Sequence, residues 1–174
     1  MDAHPHHPRA AMTTLRLREP ANLVCRRAIW YWTTRALAGW LVLLAAEIAI
    51  YTQTGGTRTA LVVVIAASAV LGLLHVLVMP QWRYRVHRWE STEQAVYTRS
   101  GWFNQSRRIA PLSRIQTVDT ERGPLEQLFR LSNVTVTTAS AAGPLRIHGL
   151  APADADRLVT ELTLSTSASA GDAT

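Results

Sequence analysis

Two stretches of this chain are apolar on every face, and the rest alternates. "ALAGWLVLLAAEIAIY" (36 to 51) has no helical polar stripe, and the aromatic-rich "IWYW" (29 to 32) extends it upstream. "TALVVVIAASAVLGLLHVLVM" (59 to 79) follows after the short turn "QTGGTR" (53 to 58). A spanning helix needs about 20 apolar residues. The second run meets this outright; the first does so when Trp30, Tyr31 and Trp32 lie at the interface and Arg35 snorkels toward headgroups. Two buried core helices are the competing reading, but so small a chain has no shell to cover them. The pattern therefore predicts a transmembrane helical hairpin over residues 29–80, with spans near 32–52 and 59–80.

From Gln81 the period changes. "RYRVHRWE" (83 to 90), "AVYTRSG" (95 to 101), "NVTVTTA" (133 to 139) and "PLRIHGL" (144 to 150) read as short strands rich in β-branched and aromatic residues. Val134 and Val136 share one face of the third, Thr135 and Thr137 the other. In "SRIQTVDTERGPLEQLF" (113 to 129), residues 115–120 read as a further strand broken by Gly123-Pro124. "LEQLF" then makes a helical turn in which Leu125, Leu128 and Phe129 can cover a sheet edge. Arg114, Asp119, Glu121 and Arg122 are left on a solvated face. In "APADADRLVTEL" (151 to 162), Ala155, Leu158, Val159 and Leu162 recur at helical spacing, with Asp154 and Asp156 at the positive N-terminal end. The domain thus spans residues 81–165. The Arg-bearing segment 1–28 and the Ser/Ala-rich tail 166–174 offer nothing to order them.

Charge supplies the orientation. Residues 36–80 contain only Glu47, Arg58 and His75 among Arg, Asp, Glu and His. The first 35 residues carry six arginines against two acids, and 81–165 carry eleven against eight. By the positive-inside rule both termini then face the cytoplasm. Cys25 is the only cysteine, so neither an intramolecular disulfide nor a thiolate cluster is available within the chain.

The chemistry-bearing residues do not converge. No lysine exists for a phosphate loop, and neither HExxH, CxxC nor a G-x-S-x-G elbow occurs. His4, His6 and His7 cluster without a second shell to orient them on a metal. His87 and His148 fall in predicted strands. Glu90 with Glu93, and Asp119 with Glu121, are carboxylates of the kind usually left solvated beside strand ends. Glu47 lies about 6 Å from the outer end of its helix and His75 about 24 Å from the outer end of its own, so they cannot form a relay. Glu47 is expected to reach Arg58 or water, and His75 to meet the interface. No catalytic, cofactor or metal residue is assigned, and no nucleic-acid partner is expected, since no recognition helix is basic.

Binding fits better. "RSGWFNQSRR" (99 to 108) places Trp102 and Phe103 after a glycine bend beside Arg107 and Arg108. Exposed, they would contact the anionic leaflet or a partner. Alternatively one or both begin the next strand and face the core, which the usual burial of aromatics favours. Trp30, Tyr31, Trp32, Arg35, Trp82 and Arg83 are the expected interface anchors.

A hairpin followed by "YRVHRWE", "YTRSGWF", Arg114-Ile115-Gln116, Gly123-Pro124-Leu125 and Thr137-Thr138-Ala139-Ser140 resembles the bacterial membrane-flanked PH-like domain family, the YdbS-like group, over roughly residues 29–163. The resemblance implies an α+β membrane protein: a two-helix transmembrane hairpin, then a small PH-like β-barrel capped by a C-terminal α-helix. It implies a multi-pass protein of the bacterial cytoplasmic membrane acting without catalysis or cofactor. Its partners would be the bilayer and another membrane protein with repeated PH-like domains. Self-association is left open. The alternatives are a lipid-headgroup sensor, or an accessory subunit of a membrane enzyme or transporter working through Glu47.

Overall fold

The computed structural model describes residues 19–56, 58–140 and 143–171, with side chains described through Ser165. Helix α1 (Arg27–Gln53) and helix α2 (Thr59–Val86) form the hairpin. At about 1.5 Å per residue each is near 40 Å long, enough to cross a bilayer and project beyond it. No residue in the most apolar window of α1 and only 6% of that in α2 is buried. So many outward-facing Leu, Val and Ile side chains suit a lipid surrounding, and the buried-core reading fails. The helices keep one antiparallel register: Trp40 Nε1 donates to His75 Nδ1 at 2.9 Å, and Ser68 Oγ to Glu47 Oε1 at 2.8 Å. Gly72 permits the close crossing, since a Cβ there would stand 2.8 Å from the Trp40 ring.

Helix α2 continues through Pro80 to Val86, so "RYRV" is helix where the alternation predicts strand. Arg83 and Arg85 in the last turn complement the helix dipole. His87 terminates the helix, bonding the Arg83 carbonyl through both its backbone N–H (3.0 Å) and ring Nδ1 (2.8 Å).

Strand β1 (Asn22–Leu23) pairs antiparallel with β2 (Arg88–Ser91), β2 with β3 (Ala95–Ser100), and β3 with β4 (Ser106–Pro111). A 3-10 turn at Leu112–Arg114 then carries the chain to a second antiparallel sheet of β5 (Ile115–Glu121), β6 (Ser132–Thr138) and β7 (Leu145–Leu150). Between β5 and β6 lies the short helix α3 (Pro124–Leu128), and helix α4 (Pro152–Gly171) closes the domain. Val96 and Ala110 from the first sheet, with Leu112 of the 3-10 turn, meet Val134, Val136, Leu145 and Ile147 from the second, and Ala155, Leu158 and Leu162 of α4 seal the core.

Four expectations change. The expected barrel is not closed: among the described residues no ladder joins the two sheets. Pro111 ends β4 without a donor, the 3-10 turn rotates the chain, and a cleft of about 440 Å³ remains between β4 and the ends of β6 and β7. Residues 19–28 are ordered, because Glu19 pairs with Arg99, the Ala21 N–H bonds Glu90 Oε2 at 3.1 Å, and β1 adds to the sheet; residues 1–18 lie outside the described part. Helix α4 runs to Gly171, through a tail with no apolar periodicity to announce it. Leu125 and Leu128 do not cover a sheet edge: they are exposed, Leu128 by 73%, and only Phe129 packs against the core.

Candidate membrane-facing site

Arg35 of α1 and Arg83 of α2 meet the domain at one junction. Ala28 and Trp32 are buried there, Trp32 under the His87 ring at 5.1 Å and under the Arg83 guanidinium at 4.6 Å. The Cys25 N–H donates to the Gly149 carbonyl at 2.8 Å, so the start of α1 is stitched to β7. Tyr31 Oη donates to Glu126 Oε1 at 2.7 Å and accepts from Arg35 Nη1 at 2.9 Å, and its ring meets Phe129 edge-on at 6.2 Å. Thus α3 is tied to α1. These contacts border a cavity of about 490 Å³ whose lining includes Tyr31, Arg35, His75, Arg83, Glu126, Asn133 and His148.

The electrostatics follow from burial. Desolvation pushes His87 down to about 4, only partly offset by the Arg83 carbonyl, so it is neutral at pH 7. His148 is lowered chiefly by desolvation, then by the charges of Arg83 and Arg146. The Tyr31 hydrogen bond holds the Glu126 carboxyl below its ordinary value.

On the α2 side, residues 101–105 form a tight loop. Gly101 has φ +106°, and a Cβ there would stand 2.0 Å from the Asn104 carbonyl oxygen, so only glycine fits. The loop folds back onto the hairpin: Trp82 Nε1 donates to the Trp102 carbonyl at 2.9 Å, and the Trp102 ring lies 5.8 Å from that of His75. Trp102 is 45% exposed and Phe103 89%, so neither begins a strand or enters the core. Arg107 is exposed on edge strand β4, while Arg108 is part-buried and reaches the Pro144 carbonyl across the cleft.

The expected anchors divide. Trp30 and Trp82 are exposed along the helices, but Tyr31 and Trp32 are buried in the junction, because the domain covers the face that a bare hairpin would turn to lipid. Arg35 is held by Tyr31, and Arg83 Nε is buried with no hydrogen-bond partner among the described residues. Glu47 accepts from Ser68 and not from Arg58, and its Oε2 is buried without a hydrogen-bond partner among the described residues. His75 is bound by Trp40 and Trp102 and stands apart from Glu47. His87 caps a helix instead of lying in a strand, and His148 sits in β7. His4, His6 and His7 lie outside the described residues; among those described, no group of three metal-ligating side chains occurs. Sequence spacing missed Glu126, which is 95 positions from Tyr31 and inside no motif.

A lipid-facing hairpin that carries two antiparallel sheets and a closing helix defines a membrane-anchored PH-like protein. The model of the bacterial PH domain matches residues 24–165, and the chain belongs to that family. It is similar to UPF0699 transmembrane protein YdbS of Bacillus subtilis (strain 168), 36% identical over 96 residues, 55% of this chain and 59% of that protein. The match therefore spans less than two thirds of that relative's length. Its name and the two apolar helices together support a membrane location. No solved structure matches.

Proposed function

We propose that this protein is a non-enzymatic interaction module that holds its PH-like domain at the cytoplasmic face of a bacterial membrane and docks there on another membrane protein. One observation carries the reading. The two most exposed apolar side chains of the domain, Phe103 (89%) and Leu128 (73%), lie on the two segments tied to the hairpin, one against α2 and one against α1. A free-standing soluble surface would not concentrate them beside the bilayer. A partner with PH-like domains of its own suits the family resemblance. The arginine distribution supports cytoplasmic termini.

The lipid-sensing alternative has its own support. The Trp102 ring reaches the level of His75, eleven residues inside the end of α2, or about 16 Å down its axis. An aromatic held there can enter the headgroup layer.

Photocrosslinking separates the two. A benzoylphenylalanine at position 103 or 128, with one at exposed Arg157 as control, should capture a membrane protein in native membranes. Adducts with lipid alone would transfer the role to lipid contact, and no adduct at either position would end both readings. For orientation, Gln53→Cys and Glu93→Cys are introduced into a Cys25→Ser background. An impermeant maleimide added to intact cells should label position 53 and spare position 93; the reverse pattern would overturn the cytoplasmic assignment.

A further inference from the structure

We propose that the junction cavity is an anion site, taking the phosphate-ester group of a ligand at the level of the lipid headgroups. Its volume of about 490 Å³ lies within the roughly 300–1,000 Å³ usual for small-molecule sites. Two guanidinium groups line it. Arg83 is partly buried, its Nε has no hydrogen-bond partner, and it makes no ion pair among the described residues. Among the described residues its guanidinium is in close contact with the Trp32 ring, which stabilises a cation without consuming its donors. Arg35 donates one N–H to Tyr31 and likewise has no carboxylate within ion-pair distance.

The one acid in the lining does not neutralise this pair. Glu126 Oε1 already accepts from Tyr31, so the cavity keeps an excess positive charge over Arg35, Arg83 and Glu126. Burying an arginine beside a second cation and leaving its donors unmade is costly. A phosphate oxygen supplies what is missing, because guanidinium and phosphate match in charge and in fork geometry.

Position in the membrane selects the same chemistry. Arg35 lies 18 residues from the end of α1, about 27 Å, close to one hydrocarbon thickness. Trp40 with His75, Glu47 with Ser68 and Trp32 with Arg83 share one register, which puts Arg83 about one turn further out than Arg35. Both arginines therefore sit where lipid phosphates lie. The site uses neither Trp102 nor Arg107, so it stands or falls independently of the docking reading above.

A phosphate ester could arrive from the leaflet or from solution, and the test has an arm for each. The full-length protein is placed in nanodiscs of phosphatidylcholine with or without phosphatidylglycerol, and retained lipid is counted by native mass spectrometry. In parallel, inorganic phosphate is titrated against the heat stability of protein in detergent free of anionic lipid. Retention of phosphatidylglycerol, or a phosphate-dependent rise in melting temperature, should fall at least about tenfold in apparent affinity in Arg83→Gln and in Arg35→Gln. Arg157→Gln, on the exposed face of α4, should match the wild type. Arg35→Gln guards against misfolding, because Arg35 is exposed while Arg83 is packed on Trp32. Retention in the lipid arm alone identifies a headgroup, and a response in the phosphate arm alone a soluble ester. Binding that is absent from the wild type in both arms, or unchanged in both variants, overturns the proposal.

Discussion

Replacing Trp32 with alanine asks whether this residue holds a domain or merely greets the lipid. By sequence it belongs with Trp30 among interface aromatics, where truncation costs little. In the structure it is 4% exposed, stacked under His87 at 5.1 Å and Arg83 at 4.6 Å, with β7 backbone at Gly149 close by. Truncating a fully buried Trp costs about 3–5 kcal/mol. Loss of the cation–π contact contributes part of that, on the order of 1 kcal/mol. Since about 1.4 kcal/mol is a factor of ten, opening of the junction should become at least about 100-fold more frequent. Hydrogen exchange on protein in micelles reads this at two amides: Cys25, which donates to Gly149, and Gly149, which donates to Asn133 Oδ1. Both should lose protection by about that factor in Trp32→Ala. In Trp30→Ala, where the ring is 67% exposed, protection should stay within a few-fold of wild type. Equal protection in the two variants would show that the domain hangs from the hairpin without a packed joint, and the cavity with its two arginines would lose its walls.

Three further outcomes are expected. His87 is depressed to about 4 from an ordinary 6.5, so the unfolded state binds its proton first and stability falls as pH drops through that window. Between pH 7 and pH 5 the loss is about 2 kcal/mol, readable by thermal unfolding, and a His87→Asn variant whose pH dependence matched wild type would contradict it. Arg130, exposed at φ +51° after α3, occupies a position that favours glycine, so Arg130→Gly should raise stability by about 1 kcal/mol; a lower melting temperature would refute the strain argument. Glu47→Gln keeps an acceptor for Ser68, so crosslinking at position 103 should persist and stability should move by no more than about 0.5 kcal/mol. Loss of crosslinking with the fold intact would instead give Glu47 a direct role.

The hairpin was legible because its signal is local. Twenty apolar residues announce a span whatever surrounds them, and the period-two alternation of Val134 and Val136 against Thr135 and Thr137 fixes β6 in the same way. The end of α2 was not legible. "RYRVHRWE" alternates like a strand, yet its first four residues stay helical because Val86 and the His87 cap find a core to enter. Burial in that core, supplied by β-strands far along the chain, overrides local propensity. The loop aromatics failed for the opposite reason. Burial is the commoner fate of Trp and Phe, but Gly101 forces a reversal that turns both side chains out of the sheet.

The candidate site was the least legible part, since it belongs to neither half of the molecule. Arg35 and Arg83 each read, alone, as a topology-setting arginine free to snorkel into water. What changes their meaning is the domain folded beside them: Tyr31, itself bonded to Glu126, holds Arg35 on one side, and Trp32 lies against Arg83 on the other. A charge at a bare helix end reaches solvent, as exposed Arg35 still does, whereas the partly buried Arg83 beside it needs a counter-ion. Two arginines that the sequence alone presents as signals of orientation thereby become, once the PH-like domain packs beside them, the cations of a pocket.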